Sequence, residues 1–222
     1  LTKKDIQENH ELIFSHLKKP NTISTGGSTG EPTSFPTSKN EIELSYANHY
    51  LGRGWWDIKP LDNILLFWGH SHLFGTGIKG VINKFKRRLY DNVINTHRLS
   101  AYDMSSETLH KHIHKLGSSN PTMILGYTSS INKISKYLQK NNIQIINTDN
   151  LRGVVVTSET VTQYDIDMVE SVFKAPCILE YGMAETGVIA YSKEKTSNIK
   201  VFWDSFLCQK TFENQLLVST LT

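Results

Sequence analysis

Ten consecutive residues, Ser24-Thr25-Gly26-Gly27-Ser28-Thr29-Gly30-Glu31-Pro32-Thr33, bring together three glycines, five hydroxyl side chains and a proline. Glycine permits positive φ and lets an anion come close to backbone amides, while Ser and Thr hydroxyls add donors that can follow phosphate oxygens. The chemistry this run suits is a cradle for nucleotide phosphates. The same composition also suits a flexible linker. Neither common nucleotide fingerprint decides between them. No Gly-Lys-Ser/Thr follows the glycines, Glu31 stands where a phosphate-binding lysine would be expected, and G-x-G-x-x-G spacing is absent.

Two further segments carry chemistry. Thr157-Ser158-Glu159-Thr160 follows a β-branched run, and Glu180-Tyr181-Gly182-Met183-Ala184-Glu185-Thr186-Gly187 follows Cys177-Ile178-Leu179. A tyrosine can stack on a purine, and a glutamate is the kind of hard oxygen ligand that Mg²⁺ takes. Singly, Tyr181 reads first as core filler and Glu185 as a solvated turn residue. His110, His112 and His114 form another cluster. His110 and His114 share a helix face at i and i+4 and could ligate a metal, although an exposed polar face is the simpler reading. The basic run Lys84-Phe85-Lys86-Arg87-Arg88 reads first as a solvated helix face and second as an anion site.

The elements that must position these residues follow from periodicity. Helical spacing is expected over residues 5–17, 39–51, 78–89, 105–116, 129–139 and 162–173, the last opened by a Thr162/Asp165 capping box. Compact apolar or β-branched runs predict strands at 64–68, from 93–94 to about 99, and at 121–126, 153–157 and 177–181. Strand and helix alternating in this order predict an α/β fold, a mostly parallel sheet flanked by helices. Residues 199–203 and 215–219 then read as antiparallel strands, so the chain divides into an α/β part (1–190) and the start of an antiparallel β part (191–222).

Composition narrows the function classes. The chain has 222 residues, 20% of them charged, and a net charge of +3 with its basic residues dispersed, which argues against nucleic acid as the partner. No apolar run of about 18 residues exists to span a membrane. Cys177 and Cys208 stand far apart without metal-ligand spacing, as in reduced cytoplasmic proteins.

Together the motifs resemble those of the adenylate-forming superfamily of acyl-CoA synthetases, adenylation domains and luciferases. Thr25 to Thr33 is similar to its phosphate loop, Thr157-Ser158-Glu159 to the segment lining adenine, and Tyr181-Gly182-Met183-Ala184-Glu185 to the signature that stacks adenine and binds magnesium. Trp68-Gly69-His70-Ser71-His72-Leu73-Phe74-Gly75 falls in the expected order between them. The short lead-in and the spacing look most like the phenylacetate–CoA ligase and capsular-polysaccharide branch. The resemblance implies ATP, Mg²⁺ and coenzyme A as cofactors and a carboxylic acid as substrate, activated to an acyl-adenylate and passed to a thiol. It implies that Ser24, Thr25, Gly26, Gly27, Ser28, Thr29 and Gly30 hold phosphates, and that Ser158, Glu159, Thr160, Glu180, Tyr181, Gly182, Met183 and Ala184 surround the nucleotide. Glu185 would bind the metal, Glu185 and Thr186 would be catalytic, and His70, His72 and Phe74 would wall the acyl pocket.

Departures from the pattern are Ala184, where relatives usually carry a threonine, and Glu31 in place of a common lysine. A cysteine-rich metal knuckle is also lacking, so no zinc is expected. Relatives continue past the equivalent of residues 216–221 into a ribose-binding aspartate and a mobile domain with a catalytic lysine. The 222 residues are therefore expected to be part of such an enzyme, weak or inactive alone. A non-catalytic nucleotide- or acyl-binding remnant, a capsular-polysaccharide protein using a sugar- or amino-acid-linked carboxylate, and an unrelated α/β binding protein stay open as alternatives. A homodimer is an open expectation.

Overall fold

The structure is a computed structural model that describes residues 8–9, 21–24, 33–69, 77–145 and 149–221. All but residues 8–9 of the helix expected over 5–17, the loop residues Thr25, Gly26, Gly27, Ser28, Thr29, Gly30 and Glu31, and His70, His72 and Phe74 lie outside the described residues. In chain order the elements are β1 (Asn21–Ser24), β2 (Ser34–Thr37), α1 (Lys39–Gly54), β3 (Ile64–Trp68), α2 (Gly77–Val93), β4 (Thr96–Ser100), α3 (Ser106–Ser119), β5 (Met123–Tyr127), α4 (Thr128–Lys140), β6 (Gly153–Thr157), α5 (Gln163–Phe173), β7 (Cys177–Met183), β8 (Gly187–Tyr191), β9 (Lys200–Val201), β10 (Phe206–Lys210) and β11 (Leu216–Thr220). They fall into two compact units, one of residues 50–181 and 190–200, the other of residues 1–49, 182–189 and 201–222.

The larger unit holds the parallel sheet. Its strands lie in the order β4-β3-β5-β6-β7. Ile64 sits opposite both Thr96 and Met123, Met123 opposite Gly153, and Val154 opposite Cys177. Parallel strands covered on both faces need continuous apolar runs, and β6 is buried at every residue. Leu109 and Leu116 of α3, Ile131, Ile134 and Leu138 of α4, and Val169 and Phe173 of α5 join Leu65, Phe67, Ile124, Val154 and Val156 in one core. The helical spacing of these apolar residues puts each helix's apolar stripe against the sheet.

Local chemistry fixes the helix ends. The Ser105 hydroxyl accepts from the Thr108 amide at 3.4 Å to open α3, and Asn120 closes it in the left-handed region. The Thr162/Asp165 capping box opens α5 as its spacing predicts. Desolvation acts to raise the Asp165 carboxyl pKa, but hydrogen bonds from Thr162 and Asn132 outweigh it and hold the group below its usual range.

The structure corrects two expectations and adds a detail to a third. The β-branched pair at 93–94 does not begin a strand. Helical bonding persists through it, with Ile94 N–H donating to the Tyr90 carbonyl at 3.0 Å, and Asn95 at φ 52° then turns the chain into β4. The partner of β11 is β10, Phe206 facing Thr220 and Lys210 facing Leu216, and not residues 199–203. Only Lys200–Val201 of that segment is a strand, because a turn in which Ser205 and Phe206 amides donate to the Phe202 carbonyl stops it. His110 and His114 of α3 are both exposed, in line with the simpler reading of that face, whereas His112 between them turns inward. His112 is 4% exposed and meets Phe67 edge-on at 5.5 Å, while His110 bonds the Tyr137 hydroxyl at 2.7 Å.

Burial lowers the His112 pKa, with Asp103 opposing. The folded chain thus holds this imidazole neutral where the unfolded chain would protonate it. That contribution to stability is complete above the ordinary histidine range and is lost as pH falls through it. A His112→Leu variant is expected to flatten this part of the acid limb in thermal melts recorded from neutral pH downward, and an unchanged pH slope would contradict the assignment.

The smaller unit is built from hairpins. β1 and β2 pair antiparallel from Asn21↔Thr37 to Ser24↔Ser34, so residues 25–33 are their connection. Ser38 and Glu41 form a capping box at the start of α1, Ser38 N–H donating to the Glu41 carboxylate at 2.6 Å and Glu41 N–H to the Ser38 hydroxyl at 3.2 Å. The buried Asn48 side chain donates to the Val188 carbonyl at 3.4 Å and accepts from the Ser205 hydroxyl at 3.3 Å, tying α1, β8 and the β10 approach together.

Candidate functional site

In open parallel sheets, ligands bind beyond the carboxyl ends of the strands. In the larger unit those ends carry Trp68 on β3, Tyr127 on β5, Ser158-Glu159-Thr160 after β6, and Glu180-Tyr181 on β7. Trp68 and Tyr127 stack with centroids 4.5 Å apart. The Tyr102 ring lies over Gly69 where a side chain would stand, which is why that position carries none. Burial pushes the Tyr127 phenol pKa up, the Tyr102 and Glu159 charges add to this, and a hydrogen bond with the Gly69 backbone opposes it. The result is an aromatic surface at the strand ends, beside residues expected to contact nucleotide.

Ser158 sits at φ 66° and turns the chain sharply after β6, leaving Ser158, Glu159 and Thr160 exposed. The Glu159 carboxylate accepts from the Ser129 amide at 2.6 Å and its hydroxyl at 2.9 Å. Tyr127, the residue before α4, provides no side-chain cap, so Glu159 supplies the anion that the helix N-terminus favours. Glu180 accepts a hydrogen bond from the buried Tyr191 hydroxyl. Tyr181 is 37% exposed, available for a ring to lie against it.

The smaller unit contains the second half of the signature. Ala184, Glu185, Thr186 and Gly187 line one pocket with Ile23 and Thr37 of the β1–β2 hairpin, Glu41 and Ser45 of α1, and Thr220 of β11. Ser24 and Ser34 close the mouth of the hairpin through a 2.9 Å contact between their hydroxyls. Residues of the two strands that flank the Ser/Thr/Gly-rich connection therefore line one pocket with the Glu185 turn, although some 150 residues separate them in sequence. Glu41 shares the pocket, and its carboxylate is held by Ser38 N–H and by the Thr37 hydroxyl at 3.2 Å.

Tight backbone geometry positions Glu185. Gly187 is at φ +73°, and a Cβ there would run into Ser45. Glu185 is exposed, and no hydrogen bond or ion pair with another described residue occupies its carboxylate. This suits Mg²⁺, which keeps several waters and takes one or two carboxylates together with substrate phosphates. No group of three or more His, Cys, Asp or Glu able to form an all-protein metal cage occurs among the described residues.

Sequence reasoning missed Glu41, Thr37 and the Trp68–Tyr127 stack. Ser38-Lys39-Asn40-Glu41 carries a readable capping-box signature, but nothing local marks the pocket it faces. The pairing of Trp68 with Tyr127 depends on β3 and β5 being neighbours, which is a tertiary fact.

No family profile matches the chain. Protein CapK of Staphylococcus aureus is 28% identical over 221 residues, covering 96% of this chain and 46% of CapK. Among solved structures, an open conformation of 2-hydroxyisobutyryl-CoA ligase in complex with 2-HIB-AMP and CoA superposes on all of the chain and 54% of that protein, with a TM-score of 0.73 at 12% identity. A malonyl-CoA ligase with methylmalonyl-CoA and AMP bound covers 83% of this chain and 36% of its own length, with a TM-score of 0.52 at 15% identity. The chain thus spans about half the length, or less, of these relatives. The fold expected from the resemblance to adenylate-forming ligases is the fold found.

Proposed function

We propose that the chain carries the ATP- and acyl-binding part of an adenylate-forming acid–CoA ligase. A carboxylate attacks the α-phosphorus of ATP, forming an acyl-adenylate and releasing pyrophosphate, and the thiol of coenzyme A then displaces AMP. The observation that carries this reading is the shared pocket of the β1–β2 hairpin and the Ala184–Gly187 turn. Adenylyl transfer demands charge neutralisation and in-line positioning. The hydroxyls and backbone of this pocket suit positioning, and the neutralising charge would come from a metal held by Glu185.

Residue by residue, amides and hydroxyls of Ser24, Thr25, Gly26, Gly27, Ser28, Thr29 and Gly30 hold the outer phosphates. Tyr181 stacks adenine, with Gly182 and Met183 lying along it. Ser158, Glu159, Thr160 and Glu180 border the nucleotide from the strand ends. Glu185 is the magnesium ligand, and bound magnesium would neutralise phosphate charge there. Thr186, two residues beyond Ala184, is the other residue assigned with Glu185 to the catalytic turn. His70, His72 and Phe74 wall the acid. The phenylacetate–CoA ligase-like subtype, the division at residues 190 and 191, a cytoplasmic setting and a homodimer belong to the same proposal.

A second reading rests on the 28% identity to CapK, a protein whose name links it to capsule. On that reading the activated carboxylate is borne by a sugar or an amino acid, and the nucleotide site is unchanged.

Calorimetric titration with Mg-ATP tests the first reading. Binding by the 222-residue chain is expected, and Glu185→Ala is expected to weaken it about tenfold, ~1.4 kcal/mol, with unfolding unchanged because the side chain is exposed. Absence of binding, or equal binding by the variant, would remove the nucleotide reading.

A further inference from the structure

The basic run Lys84-Phe85-Lys86-Arg87-Arg88 lies on α2, whose apolar residues from Val81 to Val93 are exposed. Val81, Phe85, Leu89 and Val93 recur every fourth residue, with Ile82 beside them, and they are 68%, 62%, 50%, 75% and 47% exposed respectively. The opposite face carries Gly80 and Asp91, both buried and three turns apart. Asp91 anchors that face by accepting from Arg98 of β4 at 2.8 Å and pairing with Arg87 at 3.3 Å. An amphipathic helix normally turns its apolar stripe inward, and an exposed contiguous stripe marks a surface that something covers.

The charges identify what covers it. Lys86 lies along one border of the stripe and Lys84 and Arg88 along the other, all three exposed. Asp91 is the only acidic residue of α2, and it is consumed in its ion pairs. A second copy of this helix would bring basic borders against basic borders. An anionic lipid surface instead offers phosphates to both borders and acyl chains to the stripe between them. No helix among the described residues is long and apolar enough to cross a membrane, so the contact is with the surface.

We propose that α2 is an interfacial helix that seats the chain on an anionic membrane, with Phe85 and Leu89 entering the boundary between headgroups and acyl chains. Long basic side chains would reach upward from the borders to the lipid phosphates. The membrane contact does not rest on the nucleotide reading, and either can fail without the other.

Co-sedimentation of the 222-residue chain with vesicles tests the proposal, using phosphatidylcholine alone or with about 30 mol% phosphatidylglycerol. Binding is expected on the anionic vesicles, about tenfold tighter than on neutral ones and weakened by salt. Phe85→Ser/Leu89→Ser is expected to lose that binding while keeping its circular dichroism, and Lys86→Glu/Arg88→Glu to lose the anionic preference. Hydrogen exchange of the unaltered chain on vesicles, expected to slow over residues 81–93, keeps the test independent of variant folding. Equal partition to both vesicle types, no protection over 81–93, or full binding by the serine variant would overturn it. So would a dimer in solution that the serine variant dissolves, which would assign the stripe to a second copy.

Discussion

Tyr191→Ala is expected to lower the unfolding free energy by about 3–5 kcal/mol, as read by urea denaturation. Tyr191 is fully buried at the end of β8, and its ring fills the space that Gly52 leaves open, where a Cβ would stand 2.5 Å from the ring carbons. Its hydroxyl donates to Glu180, and the Arg53 guanidinium lies beside it. Tyr191→Phe keeps the ring but leaves the Glu180 carboxylate without its donor. A lost hydrogen bond to a charged group is expected to cost about 1.5–3 kcal/mol. Burial first, and the Glu180 charge second, push the phenol pKa well above its ordinary value, with Arg53 opposing. The folded state therefore retains a proton that the unfolded chain releases at high pH. This contribution is complete below the ordinary tyrosine range and is lost as pH rises beyond it, so Tyr191→Phe should also flatten the alkaline limb. A phenylalanine variant with unaltered stability and pH profile would show that the hydroxyl–carboxylate contact contributes nothing.

Gly182→Ala is expected to destabilise by about 1–3 kcal/mol and to weaken Mg-ATP binding as well. A Cβ at Gly182 would lie 2.6 Å from the Gly187 carbonyl oxygen and 3.1 Å from the Val188 Cα. Both are backbone atoms and cannot swing aside as a side chain could, so the turn bearing Glu185 must shift. Gly54→Ala is the control, since a Cβ there meets nothing within 4 Å. The pair separates close backbone approach from a general glycine effect. Equal unfolding curves and equal nucleotide affinity for wild type and Gly182→Ala would refute the account of this turn.

The central sheet was legible because burial on both faces writes itself into sequence as unbroken apolar runs. Ile64 to Trp68 and Gly153 to Thr157 are strands at the expected bounds. Capping chemistry made the start of α5 equally readable, because Thr162 and Asp165 are three residues apart and need no tertiary partner. Where the local signal conflicted with chain context, it failed. Val93 is β-branched yet ends a helix, since its hydrogen bonding follows the turns before it rather than its own propensity. β10 escaped notice because Phe206-Leu207-Cys208-Gln209-Lys210 shows no strict alternation, and its strand character comes from pairing with β11.

The candidate site divides along the same line. Tyr181 and Glu185 announce themselves by type and order, whereas the roles of neighbouring carboxylates do not. Glu159 caps α4 from 30 residues away, and Glu180 is held by Tyr191. Neither contact leaves a periodic trace. Glu41 reads locally as a capping residue, and only the fold places it on the same pocket as Glu185. His112 shows the converse. Three alternating histidines suggest a metal or a polar face, but its phase with Leu109 and Leu116 sends it into the core.

On the proposed function, the β1–β2 connection, the segment after β6 and the Tyr181–Glu185 signature would each respond to a bound acyl-adenylate. Amide hydrogen exchange of the chain with and without a non-hydrolysable acyl-sulfamoyl adenosine measures this directly. Slower exchange is predicted over residues 21–37, 157–160 and 180–187, with α5 and the β10–β11 hairpin tip unaffected. Protection confined to other segments, or none at saturating analogue, would contradict the claim.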